Sequence, residues 1–201
     1  MKPNLNIKNV IFDLGGVLID WNPDKVYKDV FNNDSEKMIH FYTKICTQGW
    51  NENQDAGYPM AKATEERVAL FPEYEKEIRM FYGRWDDMLG DQIQGTVDIL
   101  KELSDDPNYK VVALTNWSHE TFPKAIAKFS FLQWFEGILV SGEEKTRKPF
   151  PEIYELTLSK FNLKAGESLF IDDNLRNIEA AKKFGIHSIH FQSPEQLNKE
   201  L

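Results

Sequence analysis

The sequence has a single cysteine, Cys46, and no long apolar run. One cysteine excludes an intramolecular disulfide, and no run approaches the roughly 20 apolar residues that a membrane-spanning helix needs. Residues 1–4 lead into a short apolar stretch rather than into the apolar core of a signal peptide. We therefore expect a soluble, cytoplasmic protein that does not bind a membrane.

Positive charge is also scarce. The chain has 24 Lys and Arg residues against 32 Asp and Glu residues, which gives a formal net charge of −8. Nucleic-acid binding usually depends on clustered basic residues, and the sequence has no such cluster. We expect no nucleic-acid partner and infer no obligate protein partner. An anionic ligand would need positive charge supplied locally.

The length and composition are sufficient for a folded core. The chain has 201 residues, of which 41% are hydrophobic, so it suits one domain with a sizeable insertion or two small domains. From about residue 91 onwards, predicted helices alternate with short apolar strands: 111–115, 137–140, 168–172 and 187–191. This alternation predicts an α/β fold with a Rossmann-like, doubly wound parallel sheet that helices cover on both faces.

The first strand of that sheet is predicted from the apolar run that begins at Val10. It ends at Asp13, and Gly15 and Gly16 then allow the backbone to bend sharply. An isolated aspartate after a strand is more often a turn former or a helix cap than a reacting group. The polar residues that follow the later strands change this interpretation.

Residues 20–90 have a different pattern. Apolar stripes at helical spacing predict helices throughout, apart from a polar loop at 49–59, and no strand signal is present. We interpret this segment as a small helical bundle inserted into the α/β fold. The predicted core domain is then 1–19 together with 91–201, and 20–90 is a helical cap with hinges near 18–22 and Gly90.

Four predicted strands are each followed by a group that suits phosphoryl chemistry. The groups are Asp13, Thr115 with Asn116, Lys148, and the pair Asp172 and Asp173. In open α/β sheets, ligands bind at the carboxyl ends of the strands, so we expect these groups to meet there. Two acidic centres beside a phosphate dianion require a hard cation, for which Mg²⁺ is the natural choice. Lys148 would supply local positive charge, and Thr115 would orient a phosphate oxygen.

Four segments resemble, in order, the four sequence motifs of the haloacid dehalogenase-like hydrolase superfamily. The segments are Phe12–Leu18, Leu114–Asn116, Lys148–Tyr154 and Phe170–Asn174. The resemblance covers essentially the whole chain, and the insertion is similar to the small helical cap of that family, which we expect to open and close over the site.

The resemblance implies a role for each site residue. Asp13 would be the nucleophile that forms an aspartyl-phosphate, and also a metal ligand. Thr115, Asn116 and Lys148 would hold the phosphoryl group. The backbone carbonyl of Gly15 and the carboxylate of Asp173 would bind Mg²⁺, with Asp172 supporting the site. Asn177 lies one helical turn beyond Asp173, and we expect it to hydrogen-bond the carboxylates.

Gly15 departs from the usual family pattern. Most phosphatases of the family carry a second aspartate at this position as general acid and base, although small sugar-phosphate phosphatases such as glucose-1-phosphate phosphatase also have glycine there. The carbonyl ligand is retained, but the proton-transfer group is lost. Asp20 and Asp55 are candidates to replace it.

The predicted function is a Mg²⁺-dependent phosphatase that hydrolyses a small phosphorylated metabolite, such as a sugar phosphate. Two alternatives stay open. One is a metal-independent hydrolytic dehalogenase, which also uses an aspartate nucleophile without the second aspartate. The other is a non-catalytic binding protein on the same fold.

Overall fold

The computed structural model describes residues 6–201. The first residues, which bear on the predicted lack of a signal peptide, lie outside this range. The strands are β1 Asn9–Phe12, β2 Ile19–Trp21, β3 Leu89–Gln92, β4 Lys110–Thr115, β5 Ile138–Val140, β6 Ser168–Asp172 and β7 His187–His190. The helices are α1 Asp24–Val30, α2 Ser35–His40, α3 Gln48–Asp55, α4 Met60–Leu70, α5 Glu75–Gly83, α6 Trp85–Met88, α7 Gln94–Asp105, α8 Phe122–Lys128, α9 Ser141–Glu144, α10 Pro151–Lys160, α11 Leu175–Lys183 and α12 Pro194–Glu200. Within residues 6–201, no helix has both the length and the apolarity to cross a membrane.

The central sheet has five parallel strands in the order β5-β4-β1-β6-β7. The first strand therefore lies in the middle, and the chain winds outwards from it in both directions. The predicted α/β, Rossmann-like, doubly wound sheet is confirmed. The carboxyl ends of β4, β1 and β6 lie side by side, and a binding crevice forms where strand order reverses in this way.

The apolar strand β1 is buried on both faces of the sheet. Val10 and Phe12 pack into one hydrophobic cluster, and Ile11 packs into another on the opposite face. Side chains alternate between the two faces of a strand, so in a strand covered by helices on both sides no position faces water. This explains the apolar run at residues 10–12, which follows the buried polar residue Asn9.

Helices α1–α6 lie between β2 and β3 and have a hydrophobic cluster of their own. Tyr27, Phe41 and Phe81 are among its buried members. Asp34 is the N-cap of α2, and its side chain accepts a hydrogen bond from the backbone N–H of Lys37.

Two predictions for the insertion are wrong. Residues 19–21 and 89–92 form a two-stranded antiparallel sheet, β2 with β3, where no strand was expected. These strands have three and four residues, which is too short to give a periodic signal. The polar stretch 49–59, predicted as a loop, is largely occupied by helix α3. Its N-cap is Thr47, whose side chain accepts a hydrogen bond from the N–H of Trp50.

Candidate active site

Three neighbouring strands bring the predicted site residues together. Asp13 directly follows β1, Thr115 is the last residue of β4, and Asp172 is the last residue of β6. Phe12 pairs with Ala113 on one side and with Ile171 on the other, so the three strand ends lie almost level. The parallel register thus places residues from distant parts of the sequence within one crevice.

Lys148 lies at the centre of this group, with a side chain that is fully buried. Its Nζ is 2.9 Å from Asp13 Oδ1 and 2.7 Å from Asp172 Oδ2, and it donates a third hydrogen bond to the carbonyl of Leu114 at 3.0 Å. Burial disfavours the charged amine, but the carboxylates of Asp13 and Asp172 outweigh this effect and raise the pKa of Lys148. Lys148 therefore supplies positive charge locally in an acidic protein.

The oxygens of Asp172 are fully engaged within the protein. Oδ1 accepts hydrogen bonds from the N–H of Asn174 (2.7 Å) and from Asn177 Nδ2 (3.1 Å). Oδ2 accepts from Lys148 Nζ and from Asn177 Nδ2, the latter at 3.0 Å. Asp172 thus holds Lys148 in place, and Asn177 bonds a site carboxylate as expected.

Asp13, Asp172 and Asp173 have carboxylate oxygens that all lie within 4.8 Å of one another. Burial raises the pKa of Asp13 to about 8, with Lys148 acting in the opposite direction. Burial and the neighbouring charge of Asp172 also raise the pKa of Asp173. A hard divalent cation would favour the ionised carboxylates, and such cations prefer oxygen ligands. This donor set therefore fits Mg²⁺.

Gly16 allows Asp173 to approach the loop that follows β1. Its φ is +74°, and a Cβ built there would lie 2.3 Å from Asp173 Oδ2. A side chain at this position would require Asp173 to move away and would strain the backbone, because L-residues rarely adopt a positive φ. By contrast, a Cβ at Gly15 would have no neighbour within 4 Å, so the glycine there is not required for space.

Thr115 and Asn116, at the carboxyl end of β4, have different surroundings. Thr115 is buried, and its Oγ1 has no hydrogen-bond partner within the described part of the chain. Both ends of the Asn116 amide bond the backbone of Lys148: Nδ2 donates to its carbonyl at 2.9 Å, and Oδ1 accepts from its N–H at 2.8 Å. Thr115 is thus free to meet a ligand oxygen, whereas the side chain of Asn116 orients the segment that carries Lys148.

A cavity of about 320 Å³ lies next to these residues. Asp13, Gly15, Asp173, Asn116 and Asn177 line its core side. Trp21, Trp85 and Met60 contribute apolar wall, and Trp21 Nε1 is a buried donor without a partner among residues 6–201. The cavity therefore offers carboxylates for a cation at its core side, together with apolar surface and an indole N–H donor for a ligand.

Helix α3, which the sequence predicted as a loop, forms part of the cavity wall. Gln48, Asn51, Glu52 and Asp55 line the cavity, while Trp50 packs into the cluster of the insertion. Positions i, i+3, i+4 and i+7 share one helix face, so the polar residues face the cavity together. This polar spacing, together with the N-cap at Thr47, was the signal that could have predicted the helix.

Glu52 also joins the insertion to the α/β core. Its carboxylate pairs with Arg176 on α11 and, at 2.8 Å, with Nη2 of Arg147, the residue before Lys148. The side chains of Glu52 and Arg147 are only 11% and 13% exposed, so this ion pair is largely shielded from water. Neither arginine was singled out from the sequence, because charged residues on a predicted helix or loop give no indication of a partner about a hundred residues away.

Of the two proposed replacement acids, only one borders the cavity. Asp20 lies on β2, where its carboxylate is 2.6 Å from Lys25 Nζ and is 48% exposed. It is not among the described residues that line the cavity, whereas Asp55 is.

Comparison with known proteins identifies the family. Residues 10–191 match the model for haloacid dehalogenase-like hydrolases. The chain belongs to this family.

The curated relatives include phosphatases. The chain is 26% identical over 183 residues to the sesquiterpene phosphatase astK of Aspergillus oryzae, covering 91% of this chain and 89% of that protein. It is 24% identical over 182 residues to a phosphorylated carbohydrates phosphatase of Thermotoga maritima, covering 90% of this chain and 83% of the relative.

The fold is also similar to that of a solved family member. The HAD family enzyme bt-2542 of Bacteroides thetaiotaomicron was crystallised as a complex with magnesium and inorganic phosphate. It superimposes with a TM-score of 0.69 at 26% identity, covering 93% of this chain and 95% of that one.

Proposed function

We propose that this protein is a Mg²⁺-dependent phosphatase that hydrolyses a small phosphorylated metabolite through an aspartyl-phosphate on Asp13. The observation that carries the proposal is the arrangement of Asp13, Lys148 and Asp172, with the carboxylate of Asp173 beside them. The phosphatase names of the curated relatives support it.

In the first step, Asp13 attacks phosphorus and the ester oxygen leaves. Lys148, 2.9 Å from Asp13, favours the ionised form of its carboxylate and stabilises negative charge on the phosphoryl oxygens. The unpartnered hydroxyl of Thr115 donates to one of these oxygens, and so does the backbone N–H of Asn116. In the second step, water attacks phosphorus and releases inorganic phosphate together with the Asp13 carboxylate.

Asp13, Asp173 and the carbonyl of Gly15 are the residues that would hold Mg²⁺. When bound, the ion neutralises the charge of the carboxylates and of the phosphate, so that the two can come together. Asp172 supports the site because its own oxygens are occupied by Lys148 and by amide donors.

We further propose that residues 20–90 act as a cap. Their contribution to the cavity wall, chiefly helix α3 with Trp21 and Trp85, would exclude water while the ester is cleaved. The cavity volume suits a substrate of metabolite size. Sugar phosphates are the first class to test, given the carbohydrate substrates in the name of one relative. A cytoplasmic location stays a prediction.

The test is hydrolysis of p-nitrophenyl phosphate and of a panel of phosphorylated metabolites, with Mg²⁺ and with EDTA. We expect phosphate release that requires Mg²⁺ and that falls by at least about 10³-fold in Asp13→Asn, since the amide cannot act as the nucleophile. Circular dichroism of the variant would show that it is folded.

Release of halide from a 2-haloacid without metal would instead identify a dehalogenase. If neither activity is found across the panel, and phosphate or phosphate esters still bind, the protein is a binding module and the proposal is wrong.

A further inference from the structure

Hydrolysis of an alkyl phosphate also requires a proton for the leaving oxygen, because an alkoxide is a poor leaving group. Among the described residues that line the cavity, only four side chains can supply one at neutral pH, and all four are carboxyl groups. They are Asp13, Glu52, Asp55 and Asp173. In the proposed function, Asp13 is the nucleophile and Asp173 is a metal ligand.

Glu52 is also committed to another interaction. Its two oxygens pair with Arg147 and Arg176, and Oε1 accepts a further hydrogen bond from Gln48 Nε2 at 3.0 Å. Each oxygen of Glu52 thus already accepts from a guanidinium group, so neither is available to carry a proton to a leaving group. Asp55 is the carboxyl group that remains.

Asp55 is held in position by one hydrogen bond from the core and one from its own helix. Its backbone carbonyl accepts a hydrogen bond from Ser141 Oγ at the start of α9, which anchors the end of helix α3 to the core. Its side-chain Oδ2 accepts a hydrogen bond from Asn51 Nδ2 at 3.2 Å, which leaves Oδ1 to carry a proton.

A directed chain of hydrogen bonds fixes Asn51 in turn. Gln54 Nε2 donates to the hydroxyl of Tyr82 at 2.8 Å, and that hydroxyl donates to Asn51 Oδ1 at 3.0 Å. The chain sets which end of the Asn51 amide faces Asp55, so that an N–H points to Oδ2. Tyr82 is therefore a positioning residue for Asp55.

Building on the proposed phosphatase function, we infer that Asp55 is the general acid and base of the reaction. Asp55 belongs to the insertion, and it would replace the acid that is missing at Gly15, two residues after the nucleophile. Because the leaving oxygen departs opposite to the attacking one, a donor is needed on the side of the phosphate away from Asp13, where the insertion forms the wall.

The proton balance is complete with this one group. As the bond between Asp13 and phosphorus forms and the ester bond breaks, the Asp55 carboxyl gives its proton to the leaving oxygen and an alcohol departs. The Asp55 carboxylate then takes a proton from water, whose oxygen attacks phosphorus. The bond to Asp13 breaks, inorganic phosphate leaves, and Asp55 is again protonated.

The charged groups around Asp55 are consistent with this cycle. Burial raises the pKa of Asp55 to about 7, and the negative charge of Glu52 on the same helix acts in the same direction. Arg147 and Lys148, from the segment after α9, act in the opposite direction, and Tyr82 faces the carboxyl group from α5. A general acid whose pKa lies near the working pH is suited to proton transfer in both directions.

The experiment compares two phosphate esters in wild type and in Asp55→Asn. A p-nitrophenyl leaving group departs with little protonation, whereas the oxygen of an alkyl leaving group must be protonated as it departs. We expect Asp55→Asn to lower kcat/KM for the alkyl phosphate by about 10²–10⁴-fold and for p-nitrophenyl phosphate by less than about 10-fold. The fall in wild-type kcat/KM for the alkyl ester at alkaline pH should disappear in the variant.

Two further variants serve as controls. Asp98→Asn removes an exposed carboxylate on α7, outside the cavity. It should leave kcat/KM unchanged for both esters. Asp20→Asn tests the competing candidate and should not show selective loss on the alkyl ester. If Asp55→Asn does not fold, Tyr82→Phe decides, because the loss of its hydroxyl should give the same selective loss with a smaller magnitude.

Equal losses on both esters in Asp55→Asn, or selective loss in Asp20→Asn, would overturn the inference while leaving the phosphatase proposal intact. Failure of the wild-type protein to hydrolyse either ester would overturn the phosphatase proposal, and this inference with it.

Discussion

Lys148 combines two roles that are difficult to separate from the sequence alone. It is a buried cation between two buried carboxylates, and it is also the charge closest to the proposed nucleophile. A buried ion pair is costly to break from one side, since the remaining partner is left as an uncompensated charge. The same residue should therefore affect stability and activity.

We expect Lys148→Met to destabilise the metal-free protein by about 3–5 kcal/mol, because Asp13 and Asp172 lose their common partner. The double variant Lys148→Met, Asp172→Asn should recover part of this loss, since it removes one of the uncompensated carboxylates. Urea denaturation of the two variants and of wild type gives the free energies of unfolding that test both expectations.

Lys160→Met is the matched control. Lys160 pairs with Glu144 on the surface, where its side chain is 42% exposed, and surface pairs contribute little. A loss in Lys148→Met no larger than in Lys160→Met would show that Lys148 does not have this structural role.

At the scale of elements, helix α3 connects the insertion with the core. Its apolar side belongs to the cluster of the insertion, its polar side lines the cavity, and its C-terminal end bonds Ser141. The turn that follows α3 also packs closely on the core, since a Cβ built at Gly57 would lie 2.7 Å from the carbonyl oxygen of Gly142. Contacts of this kind couple the position of the helix to the core.

Glu52→Gln should loosen this connection, because Arg147 and Arg176 lose the carboxylate that they share. We expect backbone amides in α3 to exchange with deuterium at least about tenfold faster, while those of the central sheet are unchanged. Hydrogen-exchange mass spectrometry resolves the two regions.

The matched variant is Glu65→Gln, which removes a carboxylate that pairs with Arg79 on the exposed surface of the insertion. It should leave exchange in α3 unaltered. Equal acceleration in the two variants would mean that the Glu52 ion pairs do not hold the helix on the core.

At the scale of the whole molecule, the net charge of −8 makes local compensation important. The candidate site gathers four of the acidic residues, Asp13, Asp55, Asp172 and Asp173, around one lysine. Two of these acids, Asp13 and Asp55, have a pKa raised to about 8 and about 7, with burial as the main cause. Such groups link the stability of the fold to pH.

Asp55 contributes less to the stability of the fold as the pH rises. The pKa is raised on folding, so between about pH 4 and pH 7 the folded protein holds a proton that the unfolded chain has lost. The contribution of Asp55 to stability therefore falls as the pH rises through this range and is constant above it.

Asp55→Asn removes this dependence. We expect the unfolding free energy of the variant to rise relative to wild type between pH 4 and pH 7, and the difference to level off above pH 7. Denaturant unfolding at a series of pH values, with Asp98→Asn as the control, measures it. A difference that does not change with pH would contradict the raised pKa.

Much of the fold could be predicted from local pattern. The runs that end at Asp13 and Asp172 were clear because a strand buried on both faces has no position that faces water and is therefore mainly apolar. The helical insertion was equally clear from its apolar stripes. The strands β2 and β3 were missed because each is too short for a pattern, and helix α3 because its cavity-facing side is polar.

The candidate site divides in the same way. The strand-end groups Asp13, Thr115, Lys148, Asp172 and Asp173 could be identified from the sequence, because each ends an apolar strand or lies shortly after one. The roles of the Asn116 and Asp172 side chains, and the position of Asp55 rather than Asp20 beside the cavity, became known only from the folded structure. Those outcomes depend on side chains from different elements meeting in space, and no spacing along the chain encodes such a meeting.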